Sequence, residues 1–444
     1  MIKKLIEEDI FNKLSLDFVK SITFVGYEKK TLSKINSIDV VVVIDELSRE
    51  KYNMLVFSLI EYNTITAFCP IKQGTKGKAP LVHLMIFDIK SYKEYCRDSP
   101  FMVYDWQRSK RFYKQPMTDF GIVTHLQPNY FFNKRRGIKE YLDDYNKDRI
   151  SYRDYDKNMK LIKKYKPMSS KDRVEFAYYI MENTAQNFCK MYHQKNKEFR
   201  FEEYLAIFPL HQSVYRDMYK TLKEIKWSKT YYSLKINIES FIKDFKEQFD
   251  EMFGKANKVI FIRNAKTKMS KSNLFLGQNI DVDILPIKKI PKIDFKKAYC
   301  SISLRSTNTI KHFTKEFYFY KELNEIDYGL VDGKDYDYLV RHYPKIINTC
   351  KQGADPKFPK GENYRGVLKR LNLFLKVIND DSLVCTHNCV LRVLISKLSD
   401  IPIGKSYLLD IPHLEPIEVF QVEDRFLLNI GGDTLDRILC EFRV

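Results

Sequence analysis

Residues 259–267 read Val-Ile-Phe-Ile-Arg-Asn-Ala-Lys-Thr, and this run constrains the fold more than any other part of the chain. A short apolar run rich in β-branched and aromatic residues is typical of a buried strand. Ligand sites of open α/β sheets lie at the carboxyl ends of their strands. Because the run ends in Arg263, the sequence predicts a charged side chain at that edge, followed directly by Asn264.

Further motifs follow in order through roughly the last 190 residues. They are Gly277; Ser301-Ile302-Ser303-Leu304-Arg305 with Thr309; Leu323-Asn324-Glu325-Ile326-Asp327-Tyr328-Gly329 with Gly333; Pro359-Lys360-Gly361-Glu362-Asn363; and Leu383-Val384-Cys385-Thr386-His387 followed by Arg392. With the first run, this series resembles the histidine phosphatase (phosphoglycerate-mutase-like) superfamily. The signature of that superfamily is a strand followed by Arg-His-Gly or Arg-His-Ala. In the position of the nucleophilic His, this chain has Asn264.

The resemblance implies a three-layer α/β/α domain over residues 256–444 with a site for a phosphoryl group. Two Arg side chains can clamp the oxygens of such a group bidentately. By the resemblance, Arg263 and Arg305 are these two side chains, and His387 donates to the same oxygens. Glu325 matches the general acid that protonates the leaving oxygen. Each residue alone is more often a surface charge or a structural His, and only their ordered combination favours a site. No cofactor is implied for this domain.

Asn264 changes the expected chemistry. In the family, the imidazole at this position attacks phosphorus and becomes phosphohistidine. An Asn amide is not a usable nucleophile, although it is close to His in size and can donate a hydrogen bond. We therefore expect the shape of the pocket and its phosphate affinity to be kept and covalent turnover to be lost. Two explanations stay open: a natural pseudo-enzyme, or an active phosphatase in which His was replaced to trap a substrate.

The stretch Lys268–Ser272 spells the KMSKS string of class I aminoacyl-tRNA synthetases. That motif requires an upstream His-Ile-Gly-His element, which this sequence lacks. The five residues also lie in the gap-free stretch between Arg263 and Gly277. We therefore interpret them as the loop next to the phosphate, with Ser270 as a further phosphate ligand.

Composition limits the class of protein. A length of 444 residues allows about three domains, and 44% hydrophobic residues with only 15 Gly and 15 Pro argue against disorder. Apolar runs such as Val40–Ile44 are strand-sized, and no signal peptide or membrane-spanning run is visible. The eight Cys are scattered without metal-ligand spacing, which is typical of a reduced cytosol. The sequence therefore predicts a cytoplasmic protein without a membrane partner.

The net charge of +19 favours anionic partners. Phosphorylated small molecules, nucleotides and nucleic acid all belong to this class. Basic clusters at 108–114 and 134–136 interleave with Tyr and Phe, as in surfaces that bind single strands. The alternative is a solvated basic surface that reflects Lys-, Ile- and Tyr-rich composition, and no pattern indicates an oligomeric state.

The N-terminal part carries a second, weaker signature. A helix through about residue 20 precedes a short strand, Gly26 and a second strand at Asp39–Ile44. The spacing from Gly26 to Asp39 resembles polymerase-β-type nucleotidyltransferases, which have Gly-Ser after the first strand and Ser-Asp-x-Asp entering the second. Tyr27 and Ser37 depart from that pattern. The resemblance implies a small mixed sheet.

Nucleotidyl transfer needs carboxylates on one face to hold Mg²⁺. Asp39 matches one such position, but Asp45 on the same strand lies about 20 Å away and cannot share a metal with it. Asp88 ends the predicted strand Leu81–Phe87 and is the expected second ligand, with His83 as the other polar candidate. The sequence thus predicts a magnesium site at Asp39 and Asp88. A buried strand that merely starts with Asp39 is the alternative.

Apolar residues three and four apart predict a helical bundle over residues 151–255. Its helices are expected from Asp172 to Met191, at Tyr215–Ile225 and at Ile236–Phe253. The stretch Gly254–Lys258 is the expected junction to the last domain.

The sequence therefore predicts a transferase-like α/β domain at 1–150, a helical bundle at 151–255 and a phosphatase-like domain at 256–444. The leading function is recognition of a phosphomonoester, with hydrolysis if position 264 is natively His. It is coupled to a nucleotidyltransferase-like module that processes nucleotides, nucleic-acid ends or activated metabolites. The alternative is a catalytically inactive sensor of a phosphorylated ligand or a nucleic-acid-binding regulator.

Overall fold

The chain forms two compact units in the computed structural model. The structure describes residues 2–25, 38–69, 82–123, 125–228, 237–272, 274–431, 434 and 438. The first unit comprises Met1–Leu126 and Tyr130–Asp250, and the second comprises Gln127–Asn129 and Glu251–Val444. The boundary predicted at residue 150 falls inside a β-strand of the first unit, so the predicted transferase-like part and the helical bundle share one unit.

A mixed sheet lies at the centre of the first unit. Its strands are β1 (Val19–Val25), β2 (Ile38–Ile44), β3 (Val82–Asp88) and β4 (Phe112–Lys114). Their order is β3-β2-β1-β4, with β2 parallel to β3 and β1 antiparallel to both of its neighbours. The side chains of 40–44 are fully buried, which explains the uninterrupted apolar run. A separate antiparallel hairpin consists of β5 (Arg149–Tyr155) and β6 (Leu161–Pro167).

Ten α-helices are described in the chain up to residue 255. They are α1 (Ile2–Leu14), α2 (Arg49–Ser58), α3 (Ile89–Asp98), α4 (Pro100–Gln107), α5 (Tyr130–Asn133), α6 (Ile138–Asn146), α7 (Ser170–His193), α8 (Phe201–Ile207), α9 (Gln212–Ser228) and α10 (Ile238–Lys255). The first helix ends six residues earlier than predicted, because the chain from Val19 onward pairs with β2. A capping box of Ser169 and Asp172 begins helix α7. Phe188 of this helix packs against Phe208.

The change from helix to the first strand of the second sheet lies inside the stretch Gly254–Lys258, where the sequence predicts the junction. Helix α10 continues to Lys255, and the next strand begins at Asn257, so only Ala256 separates helix from strand.

The second unit is built on a six-stranded sheet. Its strands are β7 (Asn257–Arg263), β8 (Lys297–Cys300), β9 (Tyr318–Phe319), β10 (Ser382–Thr386), β11 (Ile417–Val422) and β12 (Arg425–Leu428). The order is β12-β11-β7-β10-β8-β9. Strands β7, β10, β8 and β9 run parallel, and β11 is antiparallel to both β7 and β12. The parallel strands therefore send their carboxyl ends to one edge of the sheet.

Both faces of this sheet are covered. The helices of the unit are α11 (Leu304–Ile310), α12 (Tyr336–His342), α13 (Pro344–Lys351), α14 (Tyr364–Leu375) and α15 (Asn388–Ser399). Val259 and Phe261 belong to a large apolar cluster with α14 and α15, whereas Ile260 and Ile262 belong to a second cluster with α11. Because successive side chains of β7 enter opposite clusters, the strand is buried on both faces. This confirms the predicted α/β architecture of the C-terminal part.

Within the part of the chain that the structure describes, no helix combines the length and the apolar character needed to cross a lipid bilayer.

Candidate functional site

Three parallel strands deliver polar side chains to one edge of the second sheet. Strand β7 ends at Arg263 and is followed by Asn264, and β10 is followed by His387. Thr386 pairs with Arg263 in the parallel register, and Cys385 of β10 pairs with the last residue of β8. Because the strands are in register, residues far apart in sequence meet at the carboxyl edge, as the sequence predicts.

Asn264, His387 and Arg305 form a contiguous buried cluster. The Asn264 Oδ1 atom lies 3.1 Å from His387 Nδ1, and Arg305 Nε lies 3.2 Å from the same nitrogen. The Asn264 Nδ2 group donates to the carbonyl of Ala265 at 2.8 Å, which orients the amide with its oxygen toward the imidazole. Asn264, Arg305 and His387 are 5%, 3% and 1% exposed. The structure thus brings these three predicted residues together.

The other imidazole nitrogen of His387 meets two hydroxyl groups. Its Nε2 atom lies 2.7 Å from Ser301 Oγ and 3.2 Å from Ser303 Oγ. Burial lowers the pKa of His387 well below its ordinary value, and the charges of Arg305, Arg370 and Arg263 lower it further. The imidazole is therefore neutral near pH 7 and can act as a hydrogen-bonding group rather than a cation.

Arg263 differs from the other members of the cluster, because part of its guanidinium is unpartnered. The Nη1 group donates to the carbonyl of Ile411 at 2.6 Å, and the Asp410 carboxylate lies 3.9 Å away. The buried Nε atom has no hydrogen-bond partner. Burial, with a smaller contribution from Arg392, lowers the pKa of Arg263, so the site carries an incompletely compensated positive charge. An anion at this position would satisfy both the donor and the charge.

Arg305 has a different environment from the one predicted. Its Nη1 group donates to the carbonyl of Ile280 at 2.7 Å, and its Nη2 group donates to the carbonyls of Leu276 and Gly277 at 3.2 and 3.0 Å. With Nε directed at His387, all three nitrogen atoms are engaged. In this conformation, Arg305 therefore anchors the loop around residue 277 and is not an open fork for phosphate.

The Glu325 side chain contacts the first turn of α15, next to His387. Its carboxylate accepts hydrogen bonds from the backbone N–H of Ile326 at 2.9 Å and of Cys389 at 3.2 Å. Burial raises the pKa of Glu325, and the Ile326 N–H and the Arg305 charge only partly oppose that rise. A buried carboxyl with a raised pKa keeps its proton to higher pH, which suits a proton donor.

The backbone that carries Glu325 is held by an ion pair between Arg370 and Glu362. Arg370 Nη2 lies 2.8 Å from Glu362 Oε1 and donates to the carbonyl of Glu325 at 3.2 Å. Arg370 Nη1 donates to the carbonyl of Glu322 at 2.7 Å. Glu362 Oε1 also accepts the N–H of Asp327 at 3.1 Å. The pair therefore holds the acid-bearing loop from both sides.

Ser270 lies apart from the cluster. Thr267 and Ser270 form the capping box of a short 3-10 turn at Lys268–Lys271, and Ser270 Oγ accepts the N–H of Thr267 at 2.8 Å. Ser270 is exposed, whereas Asn264, Arg305 and His387 are buried. The Ser270 hydroxyl is occupied by the local turn, so the predicted phosphate contact is not formed in this conformation.

The two predicted magnesium ligands, Asp39 and Asp88, are not brought together. In the parallel pair β2–β3, Asp39 lies opposite His83 and Asp88 lies opposite Ile44. Five residues of strand separate the two levels, which amounts to about 16 Å. Asp39 Oδ1 instead lies 3.1 Å from His83 Nδ1, and Asp88 caps α3 through the N–H of Ser91. Among the residues that the structure describes, no group of three or more His, Cys, Asp or Glu could hold a metal ion.

Several residues of the site were not predicted from the sequence. Ser301, Ser303 and Arg370 lie inside or next to the quoted motifs, so their position in the motif was an available signal. His413 had no such signal: its Nδ1 lies 2.6 Å from the carbonyl oxygen of Asn264. Burial lowers the pKa of His413 to about 4, with a further contribution from Arg263.

Comparisons with known proteins find relatives of the C-terminal region. The model of the histidine phosphatase superfamily (branch 1) matches residues 287–426 and so begins after Arg263 and Asn264. The 6-phosphofructo-2-kinase/fructose-2,6-bisphosphatase of Caenorhabditis elegans is 28% identical over 121 residues, which cover 26% of each chain. The fructose-2,6-bisphosphatase of Saccharomyces cerevisiae is 28% identical over 96 residues, which cover 21% of each chain. The chain thus matches about a quarter of the length of these curated relatives.

Solved structures give weaker similarities. An alpha-ribazole phosphatase from Shigella flexneri is 16% identical with a TM-score of 0.33, covering 39% of this chain and 96% of that chain. A phosphoglycerate mutase from Thermus thermophilus is 19% identical with a TM-score of 0.32, covering 39% of this chain and 98% of that chain. On the family match, the C-terminal region at residues 287–426 is a histidine phosphatase superfamily domain.

Proposed function

We propose that the second unit binds a phosphomonoester at the carboxyl edge of its sheet, with Arg263 as the principal hydrogen-bond donor to the phosphate group. The observation that carries the proposal is the buried Nε atom of Arg263, which has no hydrogen-bond partner. The charge of Arg263 also contributes to the lowered pKa of His387, whose neutral imidazole adds a hydrogen-bonding group without a charge of its own. A phosphate oxygen at this position would accept from Arg263 in a charge-assisted hydrogen bond.

The same geometry supports a proton donor for the leaving oxygen. Glu325 is buried, its pKa is raised, and it lies at the start of the helix that follows His387. A protonated carboxyl can donate to an alkoxide that leaves phosphorus. The domain therefore has the parts for phosphoester recognition and for acid assistance.

Asn264 does not supply the nucleophile that phosphate hydrolysis through a phosphoenzyme needs. Its amide oxygen is directed at His387 and its amide nitrogen at Ala265, and neither atom is a nucleophile for phosphorus. We therefore propose that this chain binds its phosphorylated ligand without forming a phosphoenzyme at position 264. Under this proposal the chain acts as a ligand sensor or as a trapped phosphatase and does not turn over its ligand.

The ligand class follows from the relatives. The curated relatives are named for fructose-2,6-bisphosphate hydrolysis, so sugar phosphates and sugar bisphosphates are the first ligands to test. Nucleotides come second, because the net charge of +19 favours them without identifying a pocket. Coupling to a nucleotidyltransferase module remains a prediction from sequence, and the separation of Asp39 from Asp88 removes the metal site on which it depended.

Binding is tested by titration calorimetry with fructose 2,6-bisphosphate, fructose 6-phosphate and a nucleotide panel. We expect Arg263→Ala to weaken the best ligand by about tenfold to a hundredfold, because a charge-assisted contact is lost. Arg425→Ala is the matched control, since Arg425 pairs with Glu423 in a partly exposed position of the same unit. Equal affinity in both variants would contradict the assignment of Arg263.

Turnover is tested with Asn264→His. We expect this variant to release phosphate and to carry a phosphoryl group that is stable in base and labile in acid, as phosphohistidine is. The parent chain is expected to bind the same ligand and to release no phosphate. Phosphate release by the parent chain at the rate of the variant would show that position 264 is not the site of the chemistry.

A further inference from the structure

Strand β9 forms one outer edge of the second sheet and carries two exposed aromatic side chains. It is the last strand in the order β12-β11-β7-β10-β8-β9 and runs parallel to β8. Tyr318 and Phe319 are 58% and 54% exposed. We propose that this edge, together with the neighbouring face of α14, binds single-stranded nucleic acid. The proposal does not depend on the function proposed for the carboxyl edge of the sheet.

Helix α14 lies next to this edge because the two elements share a cluster of rings. Tyr299 of β8 contacts both Tyr318 and Phe374, with ring centroids 5.8 and 5.6 Å apart. Phe374 also contacts Tyr320 at 5.2 Å. Phe374 is buried, whereas Leu373 beside it is 57% exposed. The exposed rings of β9 therefore stand on a packed aromatic base that holds their backbone in place.

Four exposed lysines lie on the elements that form this surface. Lys315 and Lys321 flank β9 in sequence, and Lys369 and Lys376 lie on the exposed side of α14 and at its end. None of their four ammonium groups forms a hydrogen bond or an ion pair with a residue that the structure describes. Their charges are therefore available to an anionic partner.

The carboxylates around this surface do not balance the four lysines. Asp380, which follows α14, is paired with Lys297 at 2.5 Å. Glu316 and Glu322 are the two carboxylates that flank β9. Four lysines thus stand against two carboxylates, and the remaining positive charge favours a polyanion.

A second copy of the chain is the other occupant that an exposed sheet edge invites. A two-fold antiparallel ladder centred on the second residue of β9 would place Glu316 opposite Glu322 of the other copy. A ladder centred on the first residue of β9 would place Lys315 opposite Lys321. Like charges directly opposite each other destabilise a ladder. The charges of this edge therefore favour an anionic strand over self-pairing.

Single-stranded nucleic acid matches both the rings and the charges. Its bases present flat faces that stack on exposed aromatic side chains, and its phosphates pair with lysines. An anionic bilayer would attract the same lysines. However, successive residues of a strand point to opposite faces, so the rings of Tyr318 and Phe319 cannot both enter one flat bilayer. Bases splayed out from a single strand can reach each ring separately.

Binding is measured by titration calorimetry on the full chain, with oligo(dT) and oligo(U) of about 12 residues. These strands carry no terminal phosphate, so a phosphomonoester site cannot recognise them. An oligo(dA)·oligo(dT) duplex and phosphatidylserine vesicles are separate arms. The double variant Tyr318→Ala/Phe319→Ala removes the rings. Tyr336→Ala is the matched control, because Tyr336 is 51% exposed on α12 of the same unit.

We expect the parent chain to bind at least one of the two single strands more tightly than the duplex, and the stronger of the two identifies the source as DNA or RNA. Loss of both rings should weaken binding by about tenfold or more, because each stacked base contributes that much on average. Tyr336→Ala should leave the affinity unchanged. All of these side chains are exposed, so the Tm of each variant should equal that of the parent.

The double variant Lys369→Gln/Lys376→Gln tests the charges without touching the rings. Each phosphate contact on a single strand contributes about 0.7 to the slope of log K against log salt, so this variant should make the slope less negative by about 1.4. Absence of single-strand binding by the parent chain, unchanged affinity without the rings, an unchanged salt slope, or equal binding of the duplex would each overturn the proposal. Binding to vesicles alone would also overturn it and assign the surface to a lipid interface.

Discussion

The amide oxygen of Asn264 lies 3.1 Å from Nδ1 of His387, so two residues 123 positions apart in sequence share one buried contact. The contact joins the ends of neighbouring parallel strands. It also joins the residue that replaces the family nucleophile to the imidazole that remains. The properties of His387 therefore depend directly on what stands at position 264.

Asn264→Asp should raise the pKa of His387. A carboxylate within hydrogen-bond distance favours the imidazolium and typically raises such a pKa by about 1 to 3 units. In the parent chain, burial and three arginines hold this pKa well below its ordinary value. The pKa is measured from the pH dependence of the His387 ring signals by NMR. Asn264→Leu, which adds no charge, is the control. An unchanged pKa in the Asp variant would mean that the two side chains do not meet in solution.

The ion pair of Arg370 and Glu362 should stabilise the loop that carries Glu325. Both side chains are partly buried, with 19% and 24% exposed, and Arg370 also donates to two backbone carbonyls. We expect Arg370→Ala to lower the free energy of unfolding by about 2 to 3 kcal/mol. A double-mutant cycle with Glu362→Gln should give a coupling of about 1 kcal/mol. Chemical denaturation measures both.

Arg425→Ala serves as the control for that cycle. Arg425 pairs with Glu423 at a more exposed position, and such pairs contribute about 0 to 1 kcal/mol. A loss in Arg370→Ala no larger than the loss in this control would remove the structural role assigned to Arg370.

His413 should make the chain less stable in acid. Burial, with a further contribution from the charge of Arg263, lowers its folded pKa from the ordinary value of 6.5 to about 4. Between these two values the unfolded state binds more protons, so the free energy of unfolding falls as the pH falls from 6.5 toward 4. The loss is at most about 3 kcal/mol and stops growing below the folded pKa.

The His413→Gln variant isolates this effect. Urea unfolding at pH 7 and pH 4.5 should show a smaller acid loss in His413→Gln than in the parent chain. His312→Gln, at an exposed position of the same unit, should behave as the parent does. Identical acid losses in all three chains would contradict the shifted pKa.

Gly329→Ala should destabilise the second unit strongly. The residue has a φ of 56°, and a Cβ there would lie 2.1 Å from the carbonyl oxygen of Pro359. Neither the backbone clash nor the left-handed conformation can be relieved by a rotamer change, so we expect a loss of about 3 kcal/mol or more. Gly366→Ala, on helix α14, is the control: its Cβ would meet only side-chain atoms, those of Glu362 at 3.3 Å and of Asn363 at 3.5 Å, among its three nearest neighbours. Thermal unfolding distinguishes the two, and equal Tm values would refute the expectation.

Local pattern was enough to predict the elements that position the site. The apolar run before Arg263 is strand β7. Arg305 and His387 reach the same edge of the sheet because each follows the carboxyl end of a parallel strand. The partners of Arg305 were not predictable. They are backbone carbonyls of the loop around Gly277, and no residue type encodes which carbonyl a loop will present.

Strand direction explains why the predicted magnesium site at Asp39 and Asp88 does not form. Asp39 is the second residue of β2 and Asp88 is the last residue of β3, so the two would lie at the same end of this pair only if the strands were antiparallel. The strands are parallel, which puts the two carboxylates at opposite ends of the sheet. A single sequence shows where strands are but not the direction in which they pair.

The place of β7 in the sheet has a consequence for any shortened version of this protein. The family match starts at residue 287, yet β7 lies between β11 and β10 and contributes Arg263 at its end. A fragment that begins at residue 287 would lack an interior strand, and the two flanking strands would stand about 10 Å apart with unpaired edges. Such a fragment should aggregate rather than fold, so the smallest independent unit must reach back to residue 257.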